Sequence, residues 1–506
     1  MRKSKSLAGL LLAASAAFTA PACAQKSADT LRITWRDAIP NIDPYYNQQR
    51  TGIILAHHAW DTLVYRDPET FQHRGLLAES HKWINDQTLE FTLRQNVTWH
   101  NGDRFTADDV VYTINTIISD RQVSVPSNYS FYDSAEKIDD YHVRVKLKRV
   151  FPAALDYIAM TLWIWPKAYR EKVGVDDYAH HPVGTGPYKI TRVDGVTQID
   201  LERYEGYYAD SPKGKPAISK LVIHEVPDSA TEMAELLGAR ADWIWKYSPD
   251  QFDNVARIPT LQALRSESMR IGYINMDSAG RTGAGNPLTK EKVRQAIFHA
   301  IDRQTMAKQL VQGGSRALDA PCYPTQFGCD AAAAVTYPYD PAKAKLLLAE
   351  AGFPNGFDTE LVTYELPSWA GAMQGYLKAV GINAKLNLLQ VGAVVQRSLA
   401  GQNPMEAGDW GSYSINDVSA IMPQYFTAGG ADYTRDPEVQ KLVLTGGSTT
   451  DPDQRRKAYS AAIRLITEKA YWLPMYTYTI TYGLSRQLNF KPYPDELPRF
   501  YLSTWK

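Results

Sequence analysis

The run LEFTLRQNVTWHNGDRFTADDVVYTINTII, Leu89 to Ile118, leaves little freedom for the backbone that carries it. Leu89, Phe91 and Leu93 alternate with Glu90, Thr92 and Arg94, the period-two pattern of a half-buried strand. Asn101-Gly102 supplies a turn that tolerates positive φ. Thr106 with Asp109 three residues on forms a capping box in its Asp form, and Val110, Val111, Ile114, Ile117 and Ile118 follow at helical spacing. A strand, a tight turn and a capped amphipathic helix are thereby specified, as in many α/β proteins.

At 506 residues the chain exceeds one ordinary core, so two or three domains are expected. Its 31 Tyr and 12 Trp suit either a binding cleft or a ring-rich core. Arg2, Lys3 and Lys5, the apolar run Leu7 to Phe18 and Ala22-Cys23-Ala24 read as a secretory signal cleaved before Gln25. Lipidation of Cys23 is the alternative, disfavoured because Ala20-Pro21-Ala22 lacks a large aliphatic residue three before the cysteine. Loss of residues 1–24 removes three positive charges from a balanced 55 and 55, leaving −3. Nothing in that balance points to nucleic acid. Cys322 and Cys329 remain, and a local disulfide is expected in an oxidising periplasm.

Further along, Thr30 to Trp35 alternates as a first strand, and the loop NIDPYYNQQ brings Tyr45, Tyr46, Asn47 and Gln48 forward as binding candidates. A helical run follows from Gly52 to Leu63. Strands are expected at Tyr141–Leu147, Ile218–Val226 and Met269–Met276, the last bearing Tyr273 and Asn275 as candidates. In Ala241-Asp242-Trp243-Ile244-Trp245 the two tryptophans share a face if the segment is a strand, as an aromatic platform or as packed core. A capped helix is expected at Ser229–Gly238, and Thr289 is expected to cap another carrying Val293, Ala296, Ile297, Ala300 and Ile301.

Four segments together resemble a known family. They are W-H-N-G-D-R-F-T-A-D-D-V-V-Y from Trp99, P-V-G-T-G-P-Y from Pro182, V-R-Q-A-I-F-H-A-I-D-R from Val293, and the block from Tyr339-Asp340-Pro341 to Gly352-Phe353. In this order they resemble the family 5 solute-binding proteins of ABC importers. The resemblance implies an α/β fold of the type II periplasmic binding protein kind, with two lobes, an additional domain in the first, and a cleft between. The division expected is a signal at 1–24, a first lobe of 25–57, 184–263 and 483–506, an additional domain of 58–183, and a second lobe of 264–482. The chain is expected to cross between lobes near residues 264 and 482.

No G-x-S-x-G, H-E-x-x-H or G-x-x-x-x-G-K-[ST] motif is present, so an enzyme is not expected. His57-His58 and His180-His181 read as solvated or capping histidines, and His100 to Asp103 as a structural turn. The informative stretch is Gly408 to Asp417, GDWGSYSIND. The resemblance implies that peptide-binding members carry an Asp shortly after the tryptophan, to pair with the ligand ammonium. Tyr413 or Ser412 stands there in this chain, with Asp409 and Asp417 flanking as possible substitutes. Gly411, Ser412 and Ser414 suggest a neutral donor nest for phosphate or sugar hydroxyls, and Trp369, Trp410, Trp243 and Trp245 could stack on a sugar face. That combination is similar to the branch importing sugar-phosphodiester opines such as agrocinopine; a di- or oligopeptide ligand is the alternative. The expected protein is a periplasmic monomer that closes on a small solute and is read by membrane permease subunits, with no catalytic residue, cofactor or metal.

Overall fold

The computed structural model describes residues 29–195 and 197–506. The signal segment at 1–24 and the alternative fate of Cys23 lie outside the described residues.

A ten-stranded mixed sheet runs through both lobes. Its spine is an antiparallel pair of long strands, Leu261–Met276 and Trp472–Ser485, whose registers join Leu264 to Tyr482. Toward one end, Trp472–Ser485 pairs with Trp243–Trp245, and Thr30–Trp35 and Lys220–Glu225 follow in parallel. Toward the other, Leu261–Met276 pairs with Met405–Trp410, followed by Phe357–Thr363 and Ile382–Leu388. Between Glu267 and Ile271 the spine loses its regular register opposite Thr477 and Thr479. The irregularity therefore lies beyond the Leu264–Tyr482 pair, near which the crossing was expected.

A separate four-stranded antiparallel sheet holds Leu89, Phe91 and Leu93 fully buried, as the alternation requires. Helix Ala107–Ile117 packs beside it, with the capping box of Thr106 and Asp109 closed. His100, in the turn between them, reaches the glycine motif: its Nε2 lies 2.9 Å from the Gly186 carbonyl, and its Nδ1 accepts from Gly184 N–H at 3.2 Å. A Cβ on Gly184 would come within 1.8 Å of the Ala59 carbonyl, so the motif's glycine permits a backbone approach that any side chain would block.

Three local readings change. The cap of helix Glu291–Ala300 is Lys290; Thr289 closes a preceding 3-10 turn that Asn286 caps through Leu288 N–H. The first helix is Arg50–Ala59, two residues earlier at its start and ending before Trp60. His58 at its end is buried, not solvated. Its Nε2 accepts from Phe500 N–H at 3.0 Å, and burial holds its pKa down at about 3. Cys322 and Cys329 are joined in a disulfide, Cα atoms 5.8 Å apart.

Candidate ligand-binding site

A cavity of about 440 Å³ opens beside the spine, lined by residues of the N-terminal segment, the spine and its neighbouring strand. The spine strand supplies Arg270 and Tyr273, and its neighbour Met405–Trp410 supplies Glu406, Asp409 and Trp410. The first lobe supplies Gln48, Arg50 and Ile53. Val391, Val395 and Leu399, one turn apart on helix Val391–Leu399, form an apolar wall and are each about half exposed.

Polar groups in the wall are mostly satisfied by one another. Tyr425 donates its hydroxyl to that of Tyr273 at 3.0 Å, and Tyr273 donates to Glu406 at 3.0 Å. Asn403 donates to the other Glu406 oxygen at 2.8 Å. Burial raises the Glu406 pKa, and these donors limit the rise. Tyr364 accepts from Asp409 N–H at 2.9 Å and donates to Asp409 O at 3.1 Å. A Cβ on Gly408 would lie 2.9 Å from the Tyr364 hydroxyl and 3.0 Å from that of Tyr273. Glycine at 408 is what lets both phenols reach the strand.

Arg270 ties the spine strand to the C-terminal segment and to the strand Met405–Trp410. It donates to both Glu496 oxygens at 3.0 Å and also contacts Asp409. Burial alone would raise the Glu496 pKa, but Arg270, Arg50 and Lys246 together hold it well below the carboxylate range.

The turn after Trp410 is unusual. Ser412, Tyr413 and Ser414 have φ of 50°, 48° and 64°, three successive left-handed residues without a glycine. Each such residue costs about 1–2 kcal/mol. The compensation comes from the first lobe. Arg50 donates to Ser414 Oγ at 2.5 Å, Arg66 donates to the Ser414 carbonyl, and Ser414 Oγ donates to Asp495 O at 2.5 Å. From below, Gln326 in the disulfide loop donates to the Ile415 carbonyl at 2.9 Å.

Of the residues singled out in sequence, the cavity brings together Gln48, Tyr273, Trp410, Gly411, Ser412 and Tyr413. Ser414 is fully buried beside it, its hydroxyl spent between Arg50 and Asp495. Tyr46 points elsewhere, bonding Asp120 at 2.6 Å and Arg170 at 3.0 Å. Asn47 bonds the Asn41 carbonyl within its own loop, and Asn275 bonds the Ala431 carbonyl. Tyr45 is core, donating to the Trp163 carbonyl. Trp243 and Trp245 are packed core, not a platform: Trp243 meets Phe500 at 5.0 Å and Phe490 at 5.7 Å. Trp369 lines an adjoining cavity of about 310 Å³ with Glu365, beyond Arg270, Tyr364 and Asp409. Asp417 caps Val418–Ala420 and is gripped by Arg455 at 2.8 and 3.0 Å, away from the cavity.

Sequence reading passed over Arg50, Arg270, Tyr364, Glu406 and Tyr425 as site residues. Arg50 directly follows the flagged loop, and Arg270 is the charge inside an apolar strand; either could have been noticed. Nothing local marks the other three.

The mixed sheet on its long antiparallel spine, with helices packed against it, matches the type II periplasmic binding protein fold. The model of the bacterial extracellular solute-binding proteins, family 5 (Middle), matches residues 72–432, more than two thirds of the chain. The chain belongs to that family, whose members bind small solutes or peptides and work with ABC permeases instead of performing chemistry. It is 27% identical over 476 residues to the glutathione-binding protein GsiB of Salmonella typhi, covering 88% of this chain and 89% of that one. The Helicobacter pylori periplasmic binding protein DppA, solved with the peptide STSA, superposes with TM-score 0.81 at 22% identity, over 94% of this chain and 98% of that one. AgaA of A. tumefaciens R10, solved with agropinic acid, gives TM-score 0.77 at 23% identity over 94% and 98%. Among the described residues no helix is long and apolar enough to cross a membrane.

Proposed function

We propose that this protein captures a small hydroxyl-bearing anion, of the sugar-phosphodiester or glycosidic opine kind, and presents it to an ABC importer by lobe closure. One observation carries this: every carboxylate at the cavity already has a donor of its own. Asp409 is held by Arg270 and Glu406 by Tyr273 and Asn403, while the resemblance puts Tyr413 or Ser412 where an ammonium-binding acid would stand. Arg50 and Arg270 are the cations of the cavity wall, themselves paired with Ser414, Glu496 and Asp409, and an anion would share them beside rings suited to sugar faces. A bound ammonium would be left without a free partner, which is costly in a closed site. Ser412, at the cavity wall, is retained as a donor in this reading. In this reading the lobes are the segments expected from sequence, crossing near residues 264 and 482, and the register break between Glu267 and Ile271 supports a bend close to the first crossing. No catalytic residue, cofactor or metal enters.

Calorimetry on the mature protein with a hexose phosphate, glutathione and a dipeptide tests the reading. Binding of the hexose phosphate with negligible heat from the other two is expected. The converse result overturns it.

A second reading, peptide capture, is favoured by the apolar wall of Ile53, Val391, Val395 and Leu399, which an amino-acid side chain would cover. The GsiB and DppA likenesses point the same way. It requires Asp409 to leave Arg270 for the ligand, so Asp409→Asn should abolish glutathione or dipeptide binding.

A further inference from the structure

A second chamber, of about 410 Å³, is lined in part by Trp410 and Tyr413. These two rings, with Gln424, line both spaces, which therefore adjoin there. The rings meet edge to face at 5.3 Å, and Trp410 Nε1 is fixed by donation to the Ala420 carbonyl at 2.9 Å. The opposite side is not built by either lobe core. It comes from the additional domain, where Phe131, Phe151 and Tyr157 cluster with centroids 4.3–5.7 Å apart. Arg149 lies 4.9 Å over the Phe151 ring.

The chemistry of this chamber differs from that of the first. Among the described residues lining it there is one cation, Arg149, and no carboxylate. Ser419 is about nine-tenths buried, and its Oγ has no hydrogen-bond partner among the described residues. An orphaned buried hydroxyl is uncommon, because leaving a polar group unpaired costs free energy. Ring faces, hydroxyls, one guanidinium and one unsatisfied hydroxyl together fit a hydroxylated ring that is neutral or anionic. Arg149, with no carboxylate beside it in the lining, disfavours a cationic group next to it.

We infer that this chamber is a second ligand compartment, formed by the additional domain against the second lobe, which takes a distal hydroxylated ring of the same solute. The inference rests on the sugar-anion reading of the first cavity. It gives the additional domain a role in selecting the length and charge of the ligand. A solute spanning both compartments would touch three parts of the protein at once, so closure would be most favourable for the full-length ligand.

The test uses two probes on the mature protein, a hexose phosphate and a phosphodiester joining two hexoses, measured by calorimetry. Wild type should bind the two-ring probe about ten-fold more tightly than the one-ring probe. Arg149→Glu and Ser127→Trp, both at exposed positions on the additional-domain side, should cancel that advantage. Binding of the one-ring probe should stay within about two-fold. If the one-ring probe binds but the second ring adds nothing, or both variants keep the advantage, the compartment is refuted and the sugar-anion reading stands. If neither probe binds wild type, both fall.

Discussion

Arg50 in the first lobe places a guanidinium nitrogen 2.5 Å from the hydroxyl oxygen of Ser414 in the second. That same oxygen donates to the Asp495 carbonyl, so one serine couples three segments that are distant in sequence. These bonds hold a turn whose φ values are unfavourable on their own.

Ser414→Ala removes this coupling. A hydrogen bond to a charged group contributes about 1.5–3 kcal/mol, enough to shift the closed population about ten-fold. Small-angle scattering of the ligand-free protein should show a larger radius of gyration for the variant. An unchanged profile would mean that the latch does not govern closure.

Arg270→Met leaves Glu496 buried with a weaker set of partners and Asp409 without its guanidinium. Removing one member of a buried ion pair costs about 3–5 kcal/mol. Urea unfolding should register a loss of this size. Glu496→Gln in the same background should recover part of it, because the uncompensated charge is then gone.

Glu365, buried beside Trp369 and bonded by Tyr478, has its pKa pushed up from 4.5 to about 8 by burial and then by the nearby Asp409. The folded state then binds more protons than the unfolded state between these values. Its contribution is fully present below pH 4.5 and is lost as pH rises toward about 8. Glu365→Gln should accordingly gain stability relative to wild type between pH 5 and pH 8. A constant difference in unfolding free energy across that window would contradict the assignment.

Trp243 is fully buried among Tyr482, Phe490 and Phe500. Trp243→Ala should cost about 3–5 kcal/mol of stability, as large core truncations do. The folded fraction should bind solute with wild-type affinity. A selective loss of affinity would restore the platform reading.

Cys322→Ser with Cys329→Ser opens a loop closed over a separation of seven residues. The chain-entropy argument assigns about 2–3 kcal/mol to such a closure. Because Gln326 of that loop supports the Ile415 carbonyl, the reduced protein should also show faster amide exchange at residues 411–415.

Local chemistry was legible. The alternation from Leu89, the capping box at Thr106 and Asp109, the strand at Thr30–Trp35 and the family itself all follow from neighbours in the chain. Such signals depend on backbone geometry within one element, which side-chain order specifies directly. The site was legible only in part. Gly411 to Tyr413 stood out because the segment departs from a known pattern, and Gln48 because it lies in a loop rich in amides. The role of Ser414 was not readable, since its partners lie 364 and 81 residues away. Nor could sequence decide between platform and core for Trp243 and Trp245, because alternation fixes that two side chains share a face but not what covers it. Tertiary structure decided that, by packing Phe490 and Phe500 edge to face against Trp243. It also assigned the carboxylates: whether Asp409 or Asp417 can meet a ligand depends on which arginine reaches it first through space.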